Sequence, residues 1–311
     1  MSSSHNTTDT KTHSPISVAM ATYNGEKYLE QQLNSIFSQT VPVAEIIVCD
    51  DGSTDRTIDI LESYSKTSPL TYYQNEKKLG VAANFKKAVS LCAKDNYIAF
   101  SDQDDIWVPD KIANALAKLS EIEDGSTPAL VYSDAVITDE AGSVLNDSLF
   151  NELGTDKFKH CLSTLLFGNF VLGCTMVINK SMRDHVAAIP DDVPLNHDAW
   201  LALIGFSFGN ACFLPNAGVL YRKHGDNASF TKYTKRNKAQ RLLDHFLNLF
   251  RETDFLTDQI ALVKAFYTFY QDQLSLEQQN KFRHVYMLEN TSYLKKKIAF
   301  ELAFKDYWIF R

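Results

Sequence analysis

Residues 97–112 read YIAFSDQDDIWVPDKI, an apolar run followed at once by three carboxylates, Asp102, Asp104 and Asp105, within four positions. Like charges this close repel and raise one another's pKa values, so the arrangement is costly unless a cation or hydrogen-bond donors compensate it. The apolar run predicts a strand, and Pro109 at the threshold of DKIANALAKL marks the start of a helix. The carboxylates therefore fall in the turn between them.

Outward from this segment the same alternation repeats. ISVAMAT (16–22) is a β-rich apolar run, and GEKYLEQQLNSIFSQ (25–39) places Tyr28, Leu29, Leu33, Ile36 and Phe37 on one helix face. AEIIVCDD (44–51) is a second strand; Ser53 or Thr54 is expected to cap the helix DRTIDILESYSK (55–66), with Asp55 adding favourable charge to its first turn. LTYYQN (70–75) predicts a short third strand and GVAANFKKAVSLCA (80–93) a third helix, so that NYIAFSD is the fourth strand. Repeated βα units of this length predict a largely parallel sheet covered by helices, with ligands at the carboxyl ends of the strands.

Those ends hold the unusual residues: Thr22-Tyr23-Asn24-Gly25, Asp50-Asp51-Gly52-Ser53 and Asp102-Gln103-Asp104-Asp105. Three such turns along one rim have the geometry of a nucleotide site. The first turn, TYNGEKY, lacks the GxGxxG of a dinucleotide site, and no GxxxxGK[ST] loop occurs.

The chain of 311 residues, 45% apolar and 12% aromatic, is long enough for one large domain or two smaller ones. Residues 1–14 are polar without a basic-then-apolar pattern and are expected to be a disordered tail; a cytoplasmic protein is expected. Five scattered cysteines without CxxC spacing predict reduced, mostly buried thiols and no zinc site. The net charge of −7 divides into −12 for residues 1–230 and +5 for residues 231–311, and the acidic front half argues against nucleic acid. No uninterrupted apolar run reaches membrane-spanning length.

VAMATYNGEKYLEQQLNSIFSQT, EIIVCDDGSTDRT, LGVAANFKKA and FSDQDDIWVPDKI, in this order, resemble family 2 glycosyltransferases, and the SDQDDIW form resembles their bacterial rhamnosyltransferase-type members. LGCTMVI, LNHDAW and YRKHGDNAS extend the resemblance to about residue 230. It implies a GT-A, nucleotide-diphospho-sugar transferase fold over 15–230, a mainly parallel central sheet flanked by helices, with residues 231–311 as a helical C-terminal segment.

The implied activity is inverting, metal-dependent transfer of a sugar from a nucleotide sugar to a glycan or lipid-linked acceptor in bacterial surface polysaccharide synthesis. Rhamnose from dTDP-rhamnose is the leading donor, with a UDP-linked sugar also open. Negative charge develops on the departing diphosphate, and a divalent cation held by carboxylates stabilises it without a proton donor. The resemblance makes Asp102-Gln103-Asp104 a DxD motif, with Asp104 ligating Mg²⁺ or Mn²⁺ and Asp102 contacting the ribose or metal-bound water. Asp105 and Asp110 also read as an acidic helix entry. It implies that Asp50 or, preferably, Asp51 accepts from N3–H of uracil or thymine, that Tyr23 stacks beneath the base, and that Asn84 approaches the diphosphate. Each has an alternative: a turn and cap for Asp50 and Asp51, a core cap for Tyr23, a buried helix-start residue for Asn84. Thr22, Asn24 and Gln103 complete the nucleotide-sugar set. Asp198 in LNHDAW is the implied general base, although a carboxylate at a helix start is also an ordinary cap. His224 corresponds to a loop that closes over the metal and diphosphate, Arg222 and Lys223 beside it pair with phosphate or are solvated, and His197 reads as structural.

KAQRLLDHFLNLF, DFLTDQIALVKAFYTFY and SYLKKKIAFELAF have helical apolar spacing. Lys295, Lys296 and Lys297 beside Phe300, Phe304, Tyr307, Trp308 and Phe310 suit either a bilayer surface or a packing module with a solvated basic face. From another class, a non-catalytic nucleotide-sugar-binding partner in a polysaccharide assembly complex is disfavoured by the joint presence of Asp102, Asp104 and Asp198. A sugar-nucleotide-forming nucleotidyltransferase would need a glycine-rich basic first loop.

Overall fold

The computed structural model describes residues 15–191, 197–225 and 255–308, the last with side chains to 304. The first half alternates as the sequence predicts. Strands β1 (Ile16–Thr22), β2 (Glu45–Asp50), β3 (Leu70–Gln74) and β4 (Tyr97–Ser101) are interleaved with helices α1 (Leu29–Phe37), α2 (Thr57–Ser65) and α3 (Val81–Leu91); a short β5 (Ile106–Trp107) then precedes α4 (Lys111–Ile122). Val18 and Met20 of β1 pack with Leu29, Leu33 and Ile36 of α1, while Ala19 joins Phe85, Ala88 and Val89 of α3 on the opposite face. Burial on both faces is why these strands are apolar without alternation.

β1 lies parallel between β2 and β4, and β3 flanks β2. Because the chain runs outward from β1 to β3 and then returns to β4 on the other side, a crevice opens at the carboxyl ends of β1 and β4. Beyond β4 come β6 (Ala129–Thr138), β7 (Val144–Asn146), α5 (Leu149–Leu153), α6 (Leu162–Leu165), β8 (Val177–Ile178), α7 (Lys180–Ala187), α8 (His197–Ser207) and β9 (Asn210–Arg222). The sheet order is β3-β2-β1-β4-β8-β6-β9-β5, with β7 on β6. Parallel pairing holds for β1 to β4 and for β6 with β9, whereas β8, β7 and β5 pair antiparallel with their neighbours. The pairing of β5 with β9, Ile106 to Leu220 and Trp107 to Val219, pins the far side of the carboxylate turn.

One local expectation differs. α2 begins at Thr57, and neither Ser53 nor Thr54 caps it; Asp55 accepts from Thr57 N at 3.0 Å. Ser53 and Thr54 are drawn to the first turn, as described below.

Helices α9 (Thr257–Tyr270), α10 (Leu276–Tyr286) and α11 (Tyr293–Trp308) continue the same apolar core. Trp200 of α8 meets Phe266 and Tyr270 with ring centroids 5.2 and 5.9 Å apart, and Phe282 stacks on Phe266. A reciprocal capping box between Ser275 and Gln278 starts α10. The expected helix KAQRLLDHFLNLF, the boundary at 230 and the tail 1–14 lie outside the described residues. All five thiols are free, with Cys49, Cys92 and Cys174 buried. Among the described residues no helix is long and apolar enough to cross a membrane.

Candidate active site

The three rim turns hold one another. Gln103 clasps the first turn at two points: Tyr23 N donates to its Oε1 at 2.9 Å and its Nε2 donates to Tyr23 O at 3.0 Å. Gly25 makes this approach possible, since a Cβ there would stand 2.3 Å from Gln103 Oε1. Asn24, at φ 51, donates from its backbone N to Ser53 Oγ and accepts from Thr54 N, each at 2.8 Å. Thr22 Oγ1 donates to Asp50 Oδ2 at 2.8 Å, and Asp50 also accepts from Gly52 N, Ser53 N and Ser53 Oγ. Asp50 thus has a full set of protein partners and is completely buried, which supports its turn-forming alternative.

Asp51 faces the cleft from a more anchored position than the sequence implies. Its Oδ1 accepts from Leu79 N at 2.6 Å and Asn75 Nδ2 at 3.0 Å, and its Oδ2 from Gly80 N at 2.8 Å. Asn84, at the start of α3, donates to Cys49 O at 2.7 Å and accepts from Asn75 Nδ2 at 2.8 Å, so its amide is engaged inside the protein although it borders the cleft. Tyr23 is 44% exposed, and Lys78 Nζ lies 3.5 Å from its ring centroid. The sequence does not single out Lys78, which ends a run of five charged or polar residues, 74–78, that gives no reason to prefer it.

A cleft of about 260 Å³ is lined by Thr22, Tyr23, Asp51, Lys78, Asn84 and Phe85 at one end and by Asp102, Gln103, Asp104, Gly173, His197 and Asp198 at the other. Asp102 is pushed up to about 7 by burial, then by the charges of Asp104 and Asp198, with Lys111 opposing. Asp198 lies in the first turn of α8, accepts from Ala199 N at 2.6 Å and from Gly173 N at 3.1 Å, and is raised by burial to about 6. A carboxyl poised there suits a general base near neutral pH better than an ordinary surface cap does. His224 Nε2 lies 2.7 Å from Asp104 Oδ2, so the two expected metal-binding side chains meet. Two cleft carboxylates and an imidazole form a hard, mostly oxygen donor set that fits Mg²⁺ or Mn²⁺.

Behind this face is a second layer that the sequence reading did not foresee. Asp105 is buried, raised well above the usual carboxylate range by burial and by Asp104 and Asp102, and accepts from Arg222 N; it is no exposed helix entry. Asp102, Asp105 and Cys174 approach within 4.8 Å, but burial also holds the Cys174 thiol well above its ordinary pKa, and a protonated thiol is a poor partner for a hard cation. Lys111, lowered by burial to about 8, donates to Cys174 O and lies over the Trp107 ring. Arg222, 2% exposed, donates from Nε to Asp104 O, from Nη1 to Glu140 O and from Nη2 to Gln31 Oε1, at 3.0, 2.7 and 2.6 Å. It braces the carboxylate turn from behind. Asn24, Asp50 and Arg222 do not line the cleft.

Strand order and rim turns place the cleft and its clustered carboxylates at the switch point of the sheet, where open α/β folds bind ligands. The chain belongs to glycosyl transferase family 2, whose model matches residues 17–180. It is 28% identical over 228 residues to an uncharacterized glycosyltransferase of Haemophilus influenzae, covering 72% of this chain and 70% of that protein. It is also 28% identical over 232 residues to the putative teichuronic acid biosynthesis glycosyltransferase TuaG of Bacillus subtilis, 72% and 85% covered. A shorter match, 43% over 102 residues, joins 31% of this chain to 35% of the dTDP-rhamnosyl transferase RfbG of Shigella flexneri. Among solved structures, S. aureus TarS 1-349 in complex with UDP-GlcNAc aligns over 87% of this chain and 79% of its own (TM-score 0.53, 21% identity). The mannosyltransferase PcManGT from Pyrobaculum calidifontis, in complex with GDP-Man and Mn2+, aligns over 97% and 89% (TM-score 0.54, 17% identity). These likenesses show the GT-A fold, and the protein is a glycosyltransferase.

Proposed function

We propose that this enzyme is an inverting, metal-dependent glycosyltransferase that uses a nucleotide sugar, with dTDP-rhamnose the leading donor, to extend a glycan or lipid-linked acceptor in bacterial surface polysaccharide synthesis. The observation that carries it is the convergence of Asp102, Asp104 and Asp198 on one cleft, with His224 on Asp104. Asp104 and His224 would hold Mn²⁺ or Mg²⁺, with Asp102 beside them, and a bound cation supplies charge stabilisation for the leaving diphosphate. Asp51, Tyr23 and Lys78 border the nucleotide end, and Thr22 and Gln103 shape the rim between. Asp198 takes the proton from the acceptor hydroxyl as that oxygen attacks the anomeric carbon from the face opposite the diphosphate. The similarity to TuaG and RfbG supports the polysaccharide setting and the rhamnose donor.

Peripheral contact with an anionic bilayer is the second part of the proposal, and its basis moves. Lys296 is buried and Lys297 pairs with Glu301 at 2.6 Å, leaving Lys295 exposed on this helix beside an apolar stripe of Leu294, Ile298 and Leu302, each at least half exposed. Residues four apart share one helix face, so the stripe is continuous along α11. Against the acidic remainder of the chain, the +5 of residues 231–311 favours an anionic surface. The test of the catalytic part is release of nucleoside diphosphate from dTDP-rhamnose, UDP-GlcNAc and GDP-mannose with Mn²⁺ or Mg²⁺. Turnover of none of these and of no other nucleotide sugar would overturn it.

A further inference from the structure

Helical spacing places Tyr28 on one face with Leu29, Leu33 and Ile36, yet the structure turns its ring away from the core. Tyr28 immediately precedes α1, is half-buried, and joins neither of the two apolar clusters, one of which holds Leu29, Leu33 and Ile36. Its ring is shared instead by nitrogen-bearing side chains. The guanidinium carbon of Arg222 lies 4.6 Å from the ring centroid, Lys27 Nζ lies 4.9 Å from it, and the His224 ring is 5.0 Å away at an interplanar angle of 39°. An aromatic face attracts cations within ~6 Å of its centroid, so the ring is a seat for the arginine.

Two of these partners converge on one residue. Arg222 Nε donates to Asp104 O at 3.0 Å, and His224 Nε2 lies 2.7 Å from Asp104 Oδ2. The backbone and the carboxylate of Asp104 are thus each held by a side chain that packs on Tyr28. Gln31, three residues further along and so on the same face, accepts from Arg222 Nη2 at 2.6 Å. The start of α1 therefore grips the end of β9, and through it the carboxylate turn that follows β4. Asp104 lines the cleft and Tyr28 does not, so the ring acts on the site through its neighbours.

We propose that Tyr28 is a positioning residue for the metal-binding pair, its ring backing Arg222 and His224 so that the Asp104 carboxylate and the imidazole are set for a divalent cation before one binds. The inference rests on the reading of Asp104 and His224 as that pair. Groups that orient metal ligands from behind typically change metal affinity ~10- to 100-fold when removed. The nucleotide end of the cleft, built by Asp51, Asn75 and Asn84, has no contact with Tyr28 and keeps its own affinity.

The test is calorimetry on the full chain with dTDP, UDP and GDP, each titrated once with Mn²⁺ and once in EDTA. The quantity read is the gain in affinity that Mn²⁺ gives to the diphosphate that wild type binds best. Tyr28→Leu, which removes the aromatic face, should cut this gain ~10- to 100-fold and leave the affinity in EDTA within twofold. Tyr28→Phe, which keeps the ring, should retain the gain. Tyr28→Met stands in if the leucine variant does not fold. A full Mn²⁺ gain in Tyr28→Leu overturns the inference, and so does an equal loss with Mn²⁺ and in EDTA, which would assign the ring to the fold alone. Loss of the gain in Tyr28→Phe overturns it as well, because the ring would then not be what holds the pair. A wild type whose diphosphate affinity does not respond to Mn²⁺ overturns the metal-binding reading itself.

Discussion

Asp198→Asn separates chemistry from architecture more sharply than any other change. The carboxylate accepts two backbone N–H bonds and faces the cleft, so it has both a capping and a catalytic explanation. Asparagine keeps an acceptor oxygen at the same place, and as a base it is inert. If Asp198 takes the acceptor proton, transfer should fall ~10²- to 10⁴-fold while donor affinity holds. If it only caps α8, the rate should hold, because asparagine caps a helix about as well as aspartate. Burial sharpens the contrast. With the folded pKa raised to about 6, ionisation opposes folding, so this group's contribution is greatest at low pH and is lost as pH rises through 6. At pH 8 the wild-type charge costs up to about 3 kcal/mol, so the neutral variant should melt at or above wild type. The same value predicts the rate profile: the ionised fraction drops from about 0.9 at pH 7 to about 0.1 at pH 5, and kcat/KM should drop about tenfold. Saturating Mn²⁺ is needed in this assay, because Asp102 titrates nearby and a bound cation lowers it out of the window. A variant with turnover within threefold of wild type would refute the base. The search for a base would then turn to the preceding loop, where Asp191 is exposed and paired with Lys86 at 2.8 Å; Asp192 lies outside the described residues.

Further expectations follow from the same geometry. Asp104→Asn should remove nearly all transfer and weaken nucleoside-diphosphate binding, and EDTA should reproduce it in wild type; full activity in EDTA would exclude the metal-dependent mechanism. Asp51→Ala should weaken dTDP and UDP binding by about 1–3 kcal/mol, with less effect on ADP, which lacks an imide N–H. Because Asp51 also holds Leu79 N and Gly80 N, a lower melting temperature should accompany this, and equal losses for all three nucleotides in calorimetry would assign it to the loop alone. Changing Leu294, Ile298 and Leu302 together to Ser should reduce cosedimentation with anionic vesicles, at about 1 kcal/mol or more per side chain, and leave transfer to a soluble acceptor intact. Wild type that ignores such vesicles but self-associates would make the stripe a subunit interface.

The first four βα units were legible because strand and helix periodicities are local and strong: IIVC and YIAF admit little but buried strands. Asp102, Asp104, Asp198 and His224, more than a hundred residues apart at the extremes, were brought to one place only by the family resemblance; spacing alone could not do it. What the sequence hid were partners. Nothing in DDGS says that Asp50 is spent on its own turn while Asp51 reaches a loop 28 residues on. Arg222 looked like a phosphate ligand beside Lys223, but β9 turns it inward against Gln31 and Glu140, contacts with sequence separations of 191 and 82. The antiparallel β5, β7 and β8 are two or three residues long, too short to show any period.

Gln103 and Asn24 tie the three rim turns to each other. The conformational entropy of these loops, about 1–2 kcal/mol per residue, is therefore spent during folding instead of at each encounter with a nucleotide. A frame that stands before its guest arrives lets side chains along the cleft be exchanged one at a time, altering which base or sugar is preferred without rebuilding the loops. Damage to the frame should behave differently: a change at Gln103 or Asn24 would tax every donor alike.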